Sequence, residues 1–564
     1  MTTVEWRQAH GATGLLQVFC DAQVLESSDI HVAQRLTALA KESDESVALA
    51  VAIAVRALRN GSVCVDLRSV EQQVGVDGLP WPDVDTWLAA IRASPLAGTP
   101  SALRLDGDLL YLDRYWLEEQ QVADDVHTMI AVKPEKVSPD IDRLFPAGFE
   151  EQRAAAKVAL AQGLTVLTGG PGTGKTTTVA RLLALLASGT RLRIALAAPT
   201  GKAAARLQEA VQLEVGKLDA ADQEALSGMH ATTLHRLLGS RPDTSARFRH
   251  NRGNRLPHDV IVVDETSMVS LTMMARLLEA VRPDARLILV GDPDQLASVE
   301  AGAVLADLVD GLDPTKLAAL NTPHRFGESI GALASAIRAG EADAAVEVLR
   351  AGGEHIEWID TDRPAEHLRK VVVPQALRLR EAAILGNADV ALQTLDEHRL
   401  LCAHRRGPFG VRFWNRQVER WLAEETGEAI WSDWYAGRPV LVTANDYGLK
   451  LYNGDTGVTV VRDGALRAVI AGTEQLEFAT SRLSDVDTMH AMTIHKSQGS
   501  QADEVTVLLP QEDSRLLMRE LFYTAVTRAK TRVRVIGSEA ALRAAVERRA
   551  VRASGLGRRL RERT

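Results

Sequence analysis

The sequence has little cysteine, few aromatic residues and no long apolar run. Its three cysteines, Cys20, Cys64 and Cys402, are far apart and show no metal-ligand spacing, so we expect reduced, buried thiols in a cytosolic protein. The best candidate for a membrane span, residues 47–55, is ended by Arg56 and is too short. The first ten residues lack the cationic start and the long apolar segment of a secretory signal. These features predict a cytoplasmic protein without membrane association.

Charge is unevenly distributed along the chain. A formal net charge of −9 would oppose nucleic-acid binding if it were spread evenly. Residues 543–564, however, carry eight arginines against two glutamates, and residues 241–256 are also rich in arginine. Because one basic face is enough to bind a phosphate backbone, the negative net charge does not exclude nucleic-acid binding. The C-terminal arginines fit DNA binding, a solvated helix end or a partner contact, and the sequence does not separate these interpretations.

The first 130 residues predict a separate, mainly helical domain. Helical patterns run near 33–40, 46–58 and 83–93, and a hairpin follows, with its turn at Asp106-Gly107-Asp108. No residue pattern in this part indicates catalysis. We therefore interpret residues 1–130 as a docking or scaffolding domain.

The rest of the chain predicts an α/β fold in two doubly wound units. From about residue 147, apolar strands alternate with helices, and a similar pattern returns after about residue 320. The predicted domains are 131–320 and 321–564, with a small β domain inserted at about 437–484. The predicted strands are 164–168, 192–198, 260–264 and 286–290 in the first unit, and 355–359, 400–404, 504–509 and 532–536 in the second.

A phosphate-binding loop is the clearest motif of the sequence. The apolar strand at 164–168 is followed by Gly169-x-x-x-x-Gly174-Lys175-Thr176 and then by a helical pattern. Glycines let backbone N–H groups surround an anion, and the helix start adds partial positive charge. We expect Lys175 to reach the terminal phosphates of a nucleoside triphosphate and Thr176 to bind Mg²⁺. The remaining phosphate contacts are predicted at Gly170, Gly172, Thr173, Gly174 and Thr177.

Polar residues follow two further strands of the same unit. Asp264-Glu265 ends the strand at 260–264, where Asp264 can hold Mg²⁺ and Glu265 can orient or deprotonate the attacking water. Gln295 follows the strand at 286–290, and its amide is suited to sensing a γ-phosphate. Alone, either motif is weak evidence, but their order after the phosphate-binding loop favours a nucleoside triphosphatase.

Eight segments in order resemble the motifs of the superfamily 1 helicases. They run from Gln152 to Lys530 and include APTGKAAARL, TLHRLLG, VVDETSM, LVGDPDQLASVEAG, TPHRF, MTIHKSQGSQADEV and LFYTAVTRAK. The resemblance implies two RecA-like motor domains with ATP between them and Gln152 reading the adenine base. It also implies that Arg325 and Arg528 act as arginine fingers from the second domain, joined by Gln498. Cations supplied across the cleft would couple hydrolysis to domain closure.

The same resemblance implies a path for DNA across both domains. Its expected contacts are Pro199, Thr200, Thr233, His235, Thr493 and His495, which suit phosphate and sugar contact without base readout. The basic stretch at 240–258 corresponds to a β-hairpin that helps to split the duplex, with Phe248 and His250 near the fork, although an ordinary loop fits this stretch equally well. The insertion resembles an SH3-like barrel, and movement is expected in the 5′→3′ direction.

Within that superfamily, the chain resembles the RecD subunits of bacterial RecBCD helicase–nucleases. The segments that carry this likeness are LYLDRYWLEEQQVA, CAHRRGPFGVRFWN and VLVTANDYGLKLYNGDTGV. The resemblance implies a heterotrimer with RecB-like and RecC-like chains, nuclease chemistry in a partner chain, and a role in the repair and recombination of DNA in the bacterial cytoplasm. A stand-alone helicase of the same branch and an ATP-regulated structural subunit remain alternatives.

Overall fold

The computed structural model describes residues 11–134, 140–241, 244–322, 327–446, 448–472 and 475–562. It contains three consecutive units: an N-terminal unit to residue 134, a first α/β unit from 140 to 322 and a second α/β unit from 327 onwards. Both predicted parallel sheets are present, which confirms the α/β class. No described helix is long and apolar enough to cross a bilayer.

The N-terminal unit packs its helices against a small antiparallel sheet. Helix α3 is its central element, because its apolar residues from Val47 to Ala54 are buried against the surrounding helices. The sheet order is β1-β3-β2, and the predicted helices and hairpin are confirmed. The elements are α1 Gly14–Asp21, α2 Ser27–Ala40, α3 Glu45–Arg59, β1 Cys64–Asp66, α4 Val70–Val74, α5 Val84–Ala93, β2 Leu103–Asp106, β3 Leu109–Leu112 and α6 Asp113–Ala131.

The first α/β unit contains a six-stranded parallel sheet of order β11-β4-β10-β9-β5-β6. Its central strands are continuous apolar runs because helices cover both faces of the sheet. The four predicted strands are confirmed, and the two edge strands β6 and β11 were not predicted. The elements are α7 Ile141–Leu144, α8 Glu150–Ala161, β4 Leu164–Gly169, α9 Lys175–Ala187, β5 Ile194–Ala198, α10 Gly201–Val215, α11 Ala220–Ala225, β6 Ala231–Thr233, α12 Leu234–Leu238, β7 Ser240–Arg241, β8 Thr244–Phe248, β9 Val260–Val263, α13 Leu271–Ala280, β10 Arg286–Gly291, α14 Val304–Gly311 and β11 Leu317–Leu320.

The second α/β unit contains a five-stranded parallel sheet and an inserted antiparallel sheet. The parallel sheet has the order β12-β21-β20-β13-β19, and its four predicted strands are confirmed. The inserted sheet has the order β17-β16-β15-β14-β18; an SH3-like arrangement of these strands stays a prediction. The elements are α15 Glu328–Ala339, α16 Ala342–Ala351, β12 Ile356–Ile359, α17 Ala365–Ile384, α18 Ala388–Glu397, β13 His398–Cys402, α19 Val411–Thr426, β14 Pro439–Val442, β15 Thr456–Arg462, β16 Ala465–Ile470, β17 Leu476–Ala479, β18 Val486–Thr488, β19 Ala491–Thr493, α20 Ile494–Ser497, β20 Ala502–Leu508, α21 Arg519–Val526, β21 Ala529–Ile536, α22 Glu539–Glu547 and α23 Leu556–Glu562.

The last described residues, 548–562, begin on the second unit and continue onto the other two. We call this segment the C-terminal strap. Its helix α23 lies against α14 and α6, with Leu556 and Leu560 fully buried. Arg559 forms ion pairs with Glu119 and Asp106 of the N-terminal unit. The strap therefore packs with the first two units, although the sequence assigned it to the second domain.

Candidate functional site

The predicted phosphate-binding loop connects β4 to α9 at the carboxyl edge of the first sheet. Gly172 and Gly174 have φ values of 82° and 84°, in the left-handed region that glycine adopts without strain. The Nζ of Lys175 donates to the carbonyl oxygens of Gly169, at 2.6 Å, and Gly170, at 2.9 Å. The hydroxyl of Thr173 also donates to Gly170 O, which stabilises the turn. The loop is therefore closed on itself, with the lysine amine over the position that an anion would take.

Two carboxylates lie opposite this loop, where β9 ends. Burial, followed by the neighbouring negative charge of Glu265, raises the pKa of Asp264 to about 6, and Lys175 and Arg206 oppose this. Glu265 has a φ of 51°, an unusual conformation for a residue with a side chain. In the described part of the chain, neither carboxylate forms a salt bridge. Two adjacent acidic groups without a cationic partner are suited to a divalent cation.

The cleft between the two α/β units is a cavity of about 330 Å³. The first unit contributes the phosphate-binding loop, Thr176 and Thr177 on the first turn of α9, and the two carboxylates. The second unit contributes Arg528 and residues next to Gln498. The structure thus brings together the predicted loop, carboxylates, Gln295 and Arg528 in one cleft. Arg325, the second predicted arginine finger, lies outside the described residues.

A buried hydrogen-bond network crosses this cleft at Gln295. Arg528, which is only 3% exposed, donates from Nη2 to Gln295 Oε1 at 2.8 Å. Gln295 Nε2 in turn donates to Asp292 Oδ2 at 3.0 Å, and the same oxygen accepts from the Tyr523 hydroxyl at 3.1 Å. Each side chain in this chain of bonds therefore has a polar partner. Arg528 and Tyr523 belong to the second unit, so the network joins the two units directly.

The two predicted glutamines contact the same region in different ways. Gln152 on α8 is buried, and its Nε2 lies 3.5 Å from the point that a Cβ at Gly174 would occupy. Gln498 donates from Nε2 to Leu296 O at 2.9 Å, across the unit boundary. Gln152 is thus beside the phosphate-binding loop, whereas Gln498 holds the segment that follows Gln295.

The predicted DNA contacts cluster where short helices begin after edge strands. Thr233 and Thr493 each cap a helix, accepting from the backbone N–H three residues later at 3.2 and 3.3 Å. A histidine follows each threonine by two residues, giving Thr-Leu-His in the first unit and Thr-Ile-His in the second. Strands β6 and β19 occupy equivalent edges of the two sheets. The likeness of these two sites was not recognised from the sequence, because they are far apart along the chain.

Thr200 and its preceding residue Pro199 lie at the start of α10. Thr200 Oγ1 accepts from Ala203 N at 3.2 Å. The inserted sheet contacts this helix start, because a Cβ at Gly201 would lie 2.6 Å from Tyr452 Cβ. Burial, followed by the charge of Arg399, lowers the pKa of Lys202 to about 8. The start of α10 is therefore enclosed by the second unit and its insertion.

The basic stretch contains the predicted hairpin, and its Phe248 is buried. Strands β7 and β8 pair antiparallel. Phe248 is only 6% exposed, and its ring packs edge-on against His235 with a centroid distance of 5.7 Å. The ring of Phe248 is part of the apolar core beside α12, and its predicted contact with DNA stays a prediction. Arg252 of this basic stretch forms hydrogen bonds to the carboxylate of Asp125 on α6.

Tyr523 is a functional-site residue that the sequence analysis missed. Its hydroxyl bonds to Asp292, and it would lie 3.1 Å from a Cβ at Gly170 in the phosphate-binding loop. Tyr523 stands on the buried helix α21, where its residue type alone does not separate it from the core. The only sequence signal was its place in the LFYTAVTRAK segment.

Among the described residues, no group of three or more His, Cys, Asp or Glu side chains has the geometry of a metal site. The candidate cation ligands are the Asp264 carboxylate and the Thr176 hydroxyl, which both line this cleft, and Glu265 lies beside them. Such a set leaves ligand positions for phosphate and water, as is usual for Mg²⁺.

Comparison with protein-family models finds three matches along the chain. They are the N-terminal domain of RecBCD enzyme subunit RecD over residues 21–111, an AAA domain over 152–301 and the UvrD-like helicase C-terminal domain over 488–536. The second covers the phosphate-binding loop, both carboxylates and Gln295, and the third covers Thr493, Gln498 and Arg528.

Similar proteins extend over almost the whole chain. It is 74% identical over 555 residues to the RecBCD enzyme subunit RecD of Mycolicibacterium smegmatis. The alignment covers 97% of this chain and 99% of that protein. This chain is 67% identical over 560 residues to that of Mycobacterium tuberculosis, with 97% of each chain covered. The ATP-dependent RecD2 DNA helicase of Deinococcus radiodurans is 33% identical over 476 residues, which covers 83% of this chain and 61% of that protein. With its fold, its cleft and these likenesses taken together, the chain belongs to the family of RecD subunits of the RecBCD enzyme.

Proposed function

We propose that this chain is an ATP-driven 5′→3′ DNA helicase motor that works as a subunit of a RecBCD-type helicase–nuclease. The single observation that carries the proposal is the hydrogen bond from Arg528 to Gln295, across the cleft that holds the phosphate-binding loop. The positively charged Arg528 of the second unit contacts the amide of Gln295 in the first unit at the predicted nucleotide site. Occupation of that site and the relative position of the units are therefore coupled.

The cleft fits a magnesium nucleotide. Its glycines turn backbone N–H groups towards an anion, Lys175 supplies a mobile amine, and Asp264 and Thr176 supply oxygen ligands for Mg²⁺. Bound ATP would supply the phosphoanhydride bond that is hydrolysed, and its Mg²⁺ would neutralise negative charge on the phosphate oxygens. Gln152, beside the loop, is placed to contact the base.

The chain's own residues divide the chemistry between them. Lys175 would leave the carbonyl oxygens of Gly169 and Gly170 to bind phosphate, where its charge is better compensated. Glu265 would orient the attacking water and accept its proton. Arg528, with Arg325, would stabilise the charge that develops in the transition state. Because Arg528 is on the second unit, this stabilisation requires a closed cleft.

DNA would lie across the equivalent edges of the two sheets. Thr200, Thr233 and Thr493 with His235 and His495 offer hydroxyl, imidazole and helix-start N–H groups that suit phosphates and sugars. Repeated closing and opening of the cleft would move the two edges along one strand in turn. The hairpin at 240–258 would lie ahead of this path, with His250 and the hairpin residues near the fork.

The proposed partners are a RecB-like chain and a RecC-like chain in a heterotrimer. The relatives that match along their whole length are named as RecBCD subunits, whereas the chain covers 61% of the RecD2 helicase. We assign residues 1–130 to docking, 131–320 to the first motor domain and the part from 321 to the second, which carries the inserted sheet.

Unwinding of forked DNA tests this proposal. The purified chain is given ATP and a fork with either a 5′ or a 3′ single-stranded tail, beside Lys175→Gln and the surface control Lys157→Gln. We expect unwinding that needs the 5′ tail, is lost in Lys175→Gln and is kept in Lys157→Gln. Unwinding from the 3′ tail alone would contradict the polarity, and ATP hydrolysis unaffected by DNA would favour a structural subunit.

A further inference from the structure

The C-terminal strap is fastened to all three units within a few residues. On the second unit, Ala550 N donates to Glu520 Oε2 of α21 at 3.0 Å. On the N-terminal unit, Ala553 O accepts from Val63 N at 2.8 Å, and Gly555 N donates to Glu119 Oε1 at 2.9 Å. Between these anchors lies Arg552, one of the C-terminal arginines whose role could not be assigned from the sequence.

Arg552 contacts the loop that follows Gln295 in the first unit. Its Nη1 donates to Ser298 O and, at 3.4 Å, to Glu300 O. Its guanidinium also packs closely on Gly61 of the N-terminal unit, since a Cβ there would lie 2.9 Å from Arg552 Cζ. Arg552 therefore fixes two backbone carbonyls of this loop, residues 292–302, from the strap.

The second unit contacts the middle of the same loop, at Leu296. Thr524 Oγ1 accepts from Leu296 N at 2.9 Å, and Gln498 donates to Leu296 O. Residues 292–295 of the loop are part of the Arg528 network at the cleft. The loop thus has one end at the nucleotide site, contacts to α20 and α21 in its middle and the strap at its far end.

The segment that carries His495 is joined to this loop, because Gln498 N donates to His495 O at 3.4 Å and Gln498 Nε2 donates to Leu296 O. Burial lowers the pKa of His495, and the charge of Arg552 lowers it further. Burial also lowers the pKa of His235, and the charge of Glu300 opposes that effect. Through Gln498, the loop that Arg552 contacts is therefore joined to the predicted DNA-binding edge of the second unit. Glu520, which anchors the strap, is the acidic group that faces Arg552.

We propose that Arg552 is a positioning residue that holds the 292–302 loop in its position relative to the second unit. Through this loop, DNA bound beside His495 changes the rate of ATP hydrolysis in the cleft that Gln295 lines. This inference rests on the proposed helicase function. Arg552 does not line the nucleotide cleft, and it acts through the backbone carbonyls of Ser298 and Glu300. Its loss would weaken the response to DNA more than it weakens ATP binding.

The test compares hydrolysis with and without DNA in three full-length variants. Arg552→Met keeps the volume of the side chain and removes its donors, Arg552→Lys keeps the charge, and Arg558→Met is the matched control in the same strap. Arg558 pairs with Asp106, away from the loop. The measured quantity is the ratio of kcat at saturating oligothymidylate to kcat without DNA, together with KM for ATP and the apparent Tm.

We expect Arg552→Met to lower this ratio by about tenfold, within the range usual for coupling between two sites. KM for ATP and the apparent Tm should stay close to wild type, Arg552→Lys should recover part of the ratio, and Arg558→Met should keep it. A wild-type ratio in Arg552→Met would overturn the inference, as would an equal loss in both Met variants with a lower Tm. If only Arg552→Lys folds, a ratio below wild type supports the inference and an unchanged ratio overturns it.

The two proposals fail differently in this experiment. A wild-type chain whose ATP hydrolysis does not respond to DNA would contradict the proposed function, and the inference with it. A normal response in the wild type that persists in Arg552→Met would contradict the role of Arg552 alone.

Discussion

Replacing Arg528 with lysine should abolish most of the hydrolytic activity while keeping the fold. The guanidinium makes two directed bonds, to Gln295 Oε1 at 2.8 Å and to Thr524 O at 3.2 Å, from a position that is 3% exposed. A lysine amine keeps the charge but cannot reproduce this planar geometry. Loss of an arginine finger lowers kcat by about 10³- to 10⁵-fold. Leaving Gln295 Oε1 buried without its donor would cost about 1–3 kcal/mol of stability.

The assay is steady-state ATP hydrolysis at saturating single-stranded DNA, with thermal unfolding of the same samples. Arg534→Lys is the matched control, because Arg534 is also buried in the second unit but pairs with Glu357, within that unit. We expect kcat to fall in Arg528→Lys and to stay at the wild-type value in Arg534→Lys. A kcat for Arg528→Lys within tenfold of wild type would refute the assignment of Arg528 as the residue that stabilises transition-state charge.

Three further changes have clear expected outcomes. Glu265→Gln should bind a fluorescent ATP analogue with wild-type affinity but lose at least about a hundredfold in kcat, the usual contribution of a general base; retained turnover would exclude this role. The affinity of the nucleotide-free chain for Mn²⁺ should fall below pH 6, because the pKa of Asp264 is about 6 and only its ionised form binds a cation; a pH-independent affinity would place the cation elsewhere. Asp307→Asn should raise the apparent Tm more at pH 8 than at pH 5. Burial raises the pKa of Asp307 to about 7, whereas the same carboxyl ionises near pH 4 in the unfolded chain. The folded state therefore loses stability as the pH rises from about 4 to about 7. An equal change in Tm at both pH values would show that the ionisation of Asp307 does not limit stability.

The parts of the site that depend on local chemistry were predictable from the sequence. A buried strand, a glycine-rich loop and a helix start must lie next to one another, so β4 and α9 place Lys175 without knowledge of the rest of the fold. Parallel strands end at one edge of a sheet, which brings Asp264 and Gln295 to the same cleft. Arg528 required the resemblance to known motifs, because a lone arginine has no local pattern that distinguishes it from a surface ion pair.

The parts that depend on distant packing were not predictable. Phe248 lies in a basic, irregular stretch and therefore looked exposed, yet the apolar space beside His235 and α12 buries it. The C-terminal arginines likewise looked available for DNA, whereas Arg559 pairs with Glu119 and Asp106, more than four hundred residues earlier in the chain. Their partners become neighbours only once the N-terminal and first α/β units have folded.

The position of α23 has a consequence for the order in which the chain can fold during synthesis. Leu556 and Leu560 are fully buried in the core that also contains β4, β9 and α13, so the first α/β unit lacks two of its core residues until the ribosome has made residues 556–560. Burial of two leucines stabilises a core by roughly 3–6 kcal/mol. A nascent chain therefore exposes an incomplete apolar surface on its first motor unit throughout translation of the second. A chain without residues 548–562, which are far from the cleft in sequence, would leave that surface uncovered.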